Sequence, residues 1–260
     1  MEKPSVKYQD LIFEREGAVA VVTLNRPEVL NALSASLHKQ IFAVLREIGA
    51  DATIRAMILT GAGRGFCAGD DMKESDPRDG TLPVELETEI VWHNIVREMR
   101  ALPKPIIAAV NGIACGAGSG LVLGSDIRIA SEEARFADIF IRRGIAGGAY
   151  LLTNTIGAAR SLELIMTGEI IDAHEAHRLG IFNRVVPAAQ LMPAALELAS
   201  RLAEGPQLAL ALSKAAVYEV QNMGLDAGLR VEEQSKLRSL KSKEVQEGII
   251  AFVDKRSARF

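Results

Sequence analysis

Pro103 to Ala130 reads PKPIIAAVNGIACGAGSGLVLGSDIRIA. Ile106 to Val110 is a short apolar run, and the Asn111-Gly112 pair behind it is turn chemistry, so it reads as a buried strand and its exit. Gly118 to Leu123 then reads as a helix, and Ile127 to Ala130 as a further strand. The glycine-dense stretch between them raises the question of what needs bare backbone. A P-loop needs lysine after its last glycine, and none stands between Pro105 and Asp126. Gly116, Gly118 and Gly120 are spaced GxGxG rather than GxGxxG, so a dinucleotide fingerprint fails as well. Ser119 is flanked by Ala117 and Leu121 where a nucleophile elbow needs glycines, and it reads as a small residue at a crowded helix start. Pro105 to Gly124 is long enough to span a membrane, but it breaks into strand, loop and helix. What remains is a backbone kept bare so that a ligand oxygen can reach the first N–H groups of a helix, with the positive end of its dipole behind them.

Outward from this stretch the same grammar repeats. Ala18 to Leu24 (AVAVVTL) and Arg55 to Thr60 (RAMILT) read as strands, each running into a polar or glycine turn. Leu37, Ile41, Val44, Leu45 and Ile48 recur at helical spacing, with Ser34 or Ser36 placed to cap the start. Strands alternating with helices predict an α/β core whose loops gather on one side. Lys73 to Val84 (KESDPRDGTLPV) reads as a charged surface loop able to act as a lid. After Pro187 strand signals vanish and helical patterns run to the end, which divides the chain into a core at 1–186 and a helical region at 187–260.

The composition narrows the function. Apolar residues at 48% and charged residues at 24% are ordinary for a globular protein, and a chain of 260 residues supports one large core. A net charge of −3 without a long basic run argues against nucleic acid and anionic membrane as partners. Cys67 and Cys115 sit in apolar surroundings that suit a reducing compartment, and MEKPSVKYQD has no signal-peptide run, so the cytoplasm is the expected location. His174, Glu175 and His177 lack a third convincing ligand, and Asp172 with Glu175 fits a helix cap better, so no metal is expected.

An oxyanion hole takes donors from separate loops, and Gly65 to Glu74 (GFCAGDDMKE) offers the second. Together with PKPIIAAVNGIACGAGSGLVLGSDIRIA it resembles the crotonase (enoyl-CoA hydratase/isomerase) superfamily. Leu24-Asn25-Arg26-Pro27, Asn31-Ala32-Leu33, Thr167-Gly168-Glu169 and Glu247-Gly248-Ile249 match further along in the same order. The resemblance implies a spiral of ββα units with a helical C-terminal trimerisation region, assembled as a homotrimer or hexamer. It implies that the N–H groups of Ala68 and Ala117 grip a thioester carbonyl oxygen as it becomes an enolate. It also implies a coenzyme A groove along Arg26, Ala32 and the run Ala68, Gly69, Asp70, Asp71 and Met72, with Lys255 meeting phosphate. No cofactor is implied beyond the coenzyme A carried by an acyl-CoA substrate.

The two glutamates that hold water in hydratases of the superfamily fall at Gly120 and Phe140, and neither residue transfers protons. The aspartate that some isomerases use has no counterpart in Gly144 to Tyr150 (GIAGGAY). Trp92-His93 resembles a pair in a 4-chlorobenzoyl-CoA dehalogenase, whose nucleophilic aspartate is likewise missing here. Asp138 and His93 are the candidate acid–base groups, Asp71 reads as a cap, and Glu74 as solvated. The expectation is an acyl-CoA enzyme that stabilises an enolate with non-standard acid–base residues. A dehalogenase-like or hydrolytic reaction on the thioester, and a non-catalytic acyl-CoA binder, stand as alternatives.

Overall fold

The computed structural model describes residues 8–74, 78 and 92–260. Most of the segment read as a lid, and the side chain of Glu74, lie outside the described residues. Among the described residues, ten strands form two sheets. The larger joins β1 (Leu11–Glu16), β2 (Val19–Leu24), β3 (Ala56–Gly61), β5 (Ile106–Val110), β7 (Ile127–Ser131) and β10 (Arg184–Val186), in that order. The smaller joins β4 (Gly65–Cys67), β6 (Ile113–Cys115), β8 (Arg135–Ala137) and β9 (Ile171–Asp172). Among the described residues β1 with β2 and β8 with β9 pair antiparallel, and the other neighbours are parallel.

Strands three to eight alternate between the sheets. Each long strand of the first sheet turns into a short strand of the second and then into the next element: β3 to β4, β5 to β6, β7 to β8. The helices returning from these pairs include α2 (Trp92–Ala101), α3 (Ala117–Gly124) and α4 (Ala149–Ile156), after α1 (Ala35–Ala50) earlier in the chain. This is the expected ββα spiral. The four expected strands all form, Ser34 Oγ accepts the Leu37 N–H and so caps α1, and α3 is one residue longer at each end than predicted. Pro105 to Gly124 resolves into β5, β6 and α3, and no described helix is long and apolar enough to cross a membrane.

Because parallel strands are covered on both faces, alternate residues serve two cores. Ala20, Val22 and Leu59 face the main core with Leu37, Ile41 and Val44 of α1. Val19, Val21 and Ile58 face the other way, onto Leu191, Ala195 and Ala199 of α7 (Leu191–Ala203). Between lie α5 (Ala158–Thr167) and α6 (Ala173–Arg178), and beyond lie α8 (Gln207–Glu219), α9 (Leu225–Leu240) and α10 (Lys243–Val253). Helix alone follows Pro187, yet α7 is packed into the core rather than set apart from it.

Candidate active site

The loops that follow β3 and β5 meet at one end of the sheet. Asn31, fully buried at φ 58, ties them together. Its Oδ1 accepts the Arg26 N–H at 2.9 Å, and its Nδ2 donates to the carbonyls of Ala62 at 3.0 Å and Gly65 at 2.8 Å. Asn111 clamps the same turn from the other side, donating to Gly63 O at 2.9 Å and Gly65 O at 3.1 Å. Held so, Gly65 to Asp71 runs beside Leu30 to Leu33, with the Leu33 N–H on Gly69 O and the Asp71 N–H on Leu33 O. Cys115 Sγ donates to Ala68 O at 3.2 Å, closing the loop against the start of α3.

Glycine is required where these backbones touch. A Cβ at Gly118 would stand 2.2 Å from Cys67 O, so only glycine lets α3 lie flush on β4. Gly69, at φ +94, would place a Cβ 2.9 Å from Cys115 O and 3.4 Å from the Ala117 nitrogen. The two expected donors therefore lie on adjoining backbone, but they differ. As the first residue of α3, Ala117 has no acceptor for its N–H among the described residues. The Ala68 N–H, expected to face a ligand, is donated to Leu30 O at 2.9 Å. Ser119 points inward, its hydroxyl on Gly116 O at 2.6 Å, so it is a helix-start residue and no nucleophile.

An aromatic stack occupies the ground beside these donors. A Cβ at Gly120 would meet Trp92 Cε3 and Cζ3 at 2.4 Å, and one at Gly147 would meet Phe140 Cδ2 at 2.6 Å. The Trp92 ring stacks with the His93 ring at a centroid distance of 3.8 Å and with the Phe140 ring at 6.0 Å. The two glutamate positions are thus absorbed into one apolar wall.

A cavity of about 510 Å³ opens between α2 and residues 146–151, with Trp92 itself in its lining. His93 is exposed to it, and its imidazole is held below its ordinary pKa by burial first and the nearby Arg97 second, with Asp70 pulling the other way. Asp138 does not reach the cavity. It is 1% exposed, its carboxylate lies against the Gly148 backbone, and neither oxygen has a hydrogen-bond partner among the described residues. Burial pushes its carboxyl up to about 6, opposed in part by the Phe140 N–H, which lies near the carboxylate but outside hydrogen-bond geometry.

Two loops from parallel strands meeting at a bare helix start is the arrangement that the sequence motifs anticipate, and the family model for enoyl-CoA hydratase/isomerase matches residues 14–260. The chain belongs to that family. It is 39% identical over 250 residues to the 1,2-epoxyphenylacetyl-CoA isomerase of Escherichia coli K12, covering 94% of this chain and 95% of the relative. It is 36% identical over 258 residues to the short-chain-enoyl-CoA hydratase of Clostridium acetobutylicum, covering 96% and 97%. Among solved structures, a putative enoyl-CoA hydratase from Streptomyces coelicolor A3(2) superposes with a TM-score of 0.92 at 34% identity, covering 100% of this chain and 96% of the other.

Within this enoyl-CoA hydratase/isomerase fold, several residues anticipated as groove contacts turn inward. Arg26 donates to Ala32 O at 2.7 Å and pairs with Asp71 at 2.8 Å, and Asp71 also accepts the Lys73 N–H at 3.2 Å. Asp71 therefore braces the loop through Arg26 and the Lys73 N–H. Asp70 pairs with His38 Nε2 at 3.2 Å, while Met72 stays exposed. Among the described residues Lys255 has no hydrogen bond or ion pair to any of these. Its segment ends on Phe260, whose carbonyl receives Arg55 just before β3, whereas the site grows from the far end of that strand. The sequence reading missed the two asparagine clamps and the indole at Gly120. A buried asparagine in an Asn-Gly or Asn-Ala turn was the signal for the first; the second joins residues distant in the chain.

Proposed function

We propose that this chain binds an acyl-CoA thioester, polarises its carbonyl at the start of α3, and moves a proton on the resulting enolate without adding water. The observation that carries the reading is the Trp92 indole filling the space beside Gly120. Hydration needs acids that hold a water, and both family positions are closed by aromatic packing. Isomerisation needs only one group that takes a proton and returns it. His93 suits that work: it faces the cavity and, with its pKa lowered, is neutral at pH 7 and free to accept. The Ala117 N–H is the free donor. The Ala68 N–H joins it by sharing its hydrogen with Leu30 O and the thioester oxygen, a three-centre bond of the kind common at helix ends. Each such donor typically contributes about 3 to 4 kcal/mol to lowering the barrier. Arg26, through Ala32 O and Asp71, braces the groove wall from Ala68 to Met72, and no cofactor is needed beyond the coenzyme A of the substrate. The relative named 1,2-epoxyphenylacetyl-CoA isomerase supports a proton-moving rather than a water-adding role.

Two assays test this together. Crotonyl-CoA hydration, followed by loss of enoyl-thioester absorbance, is expected to be absent. Exchange of the α-protons of butyryl-CoA in D2O is expected, and is expected to fall sharply in His93→Gln. Rapid hydration would overturn the reading; tight binding with no exchange would leave a non-catalytic acyl-CoA binder.

A further inference from the structure

The cavity beside His93 has a charge pattern that an aliphatic acyl chain does not call for. His93, Arg97 and Arg100 stand at i, i+4 and i+7 on α2, which sets them in one stripe, and all three line the cavity. The Arg100 guanidinium lies over the Tyr218 ring, 4.4 Å from its centroid, so one face is pinned while its hydrogen-bonding edge is left over. Its buried Nε has no acceptor among the described residues. Arg97 donates from Nη1 to the side-chain oxygen of Asn94, a neutral group on its own helix.

Neither guanidinium has a carboxylate partner among the described residues. Asp126 is taken already: its Oδ1 accepts the Tyr218 hydroxyl at 2.7 Å, and its Oδ2 meets Lys214 Nζ at 2.8 Å and the Ile106 N–H at 2.7 Å. Asp138 is sealed behind Gly148. On the facing wall the Tyr150 hydroxyl accepts from Asn222 at 3.0 Å, which leaves its own proton to donate. Arg97, Arg100 and Tyr150 thus line one pocket, and neither guanidinium is paired with a carboxylate among the described residues. A half-buried guanidinium is costly unless something anionic meets it, and its planar fork matches a carboxylate.

Resting on the reading of this cavity as the acyl site, we propose that the acyl group carries a carboxylate at its far end, held by Arg100 with Arg97. The substrate class is then an ω-carboxyacyl-CoA, the coenzyme A thioester of a dicarboxylic acid, rather than a plain fatty acyl-CoA.

Calorimetric titration with matched pairs tests it: succinyl- against butyryl-CoA, glutaryl- against pentanoyl-CoA, adipyl- against hexanoyl-CoA. Within each pair only the terminal carboxylate differs. At least one diacid thioester is expected to bind about tenfold or more tightly than its partner, the effect of one charge-assisted hydrogen bond. Read as the ratio of diacid to monoacid affinity within each variant, the preference is expected to vanish in Arg100→Gln, to weaken in Arg97→Gln, and to persist in part in Arg100→Lys, which keeps the charge but gives up the flat stack on Tyr218. Equal affinities in all three pairs, or a preference surviving in the Arg97→Gln, Arg100→Gln double variant, would overturn the inference. If the folded protein binds no thioester of either kind, the acyl-CoA reading itself fails, an outcome distinct from equal binding.

Discussion

Gly120 and Asp138 show how much single residues impose on their surroundings. At Gly120 the absence of a side chain is enforced by the Trp92 indole, 2.4 Å from where a Cβ would stand. Gly120→Ala is therefore expected to destabilise by about 1 to 3 kcal/mol through overpacking. In a double-mutant cycle by chemical denaturation, Gly120→Ala with Trp92→Leu is expected to cost less than the sum of the two single changes, because the smaller side chain vacates the contested space. Asp138 makes a pH-dependent statement. Burial raises its carboxyl to about 6 in the folded chain, against roughly 4 for an exposed aspartate. Between those values the folded state holds the proton more firmly than the unfolded one. Its contribution is thus fully present below about pH 4 and is lost as pH rises through 6. Relative to Asp138→Asn, the parent is expected to lose about 2 to 3 kcal/mol between pH 4 and pH 7. Parallel unfolding curves at those two pH values would reveal a flat difference if Asp138 were solvated.

Among the elements, α3 and the Gly65 to Asp71 loop form one unit joined through Gly69 and Gly118. An alanine at Gly69 needs the left-handed φ +94 and presses on Cys115 O, so it moves the loop away from the Ala117 N–H. Displacements near 1 Å at a reacting centre typically cost about a hundredfold in rate. Gly69→Ala is accordingly expected to slow α-proton exchange by about that factor while acyl-CoA affinity changes only a few-fold. A loss of affinity matching the loss of rate would place the loop in binding instead.

For the whole molecule, the C-terminal helices carry large apolar side chains outward: Leu225 is 77% exposed, Phe252 85% and Val253 70%, with Leu229, Leu237 and Leu240 each about half exposed. A surface of this kind on a stable protein marks an interface. Copies of the same chain are the expected occupant, three or six together, as the family resemblance implies. Light scattering after size exclusion should give that mass, and Phe252→Glu with Leu229→Glu should lower it to the single chain. A wild-type monomer would refute this assembly.

What the sequence determined by itself is what short-range chemistry decides. Each buried strand of the large sheet announced itself as an apolar run ending in a turn, Ser34 as a cap, and Gly112 to Gly120 as backbone kept bare, because these depend on neighbours in the chain. The three-residue strands β4, β6 and β8 and the two-residue β9 were not legible, since runs so short take their conformation from the strand beside them. The same division holds in the site. The motifs led to Ala68 and Ala117, but only the folded chain gives the Ala68 N–H to Leu30, seals Asp138 behind Gly148, and lays Trp92 over Gly120. Those contacts join residues 10, 28 and 38 positions apart. Their geometry is decided by packing, which no local pattern encodes.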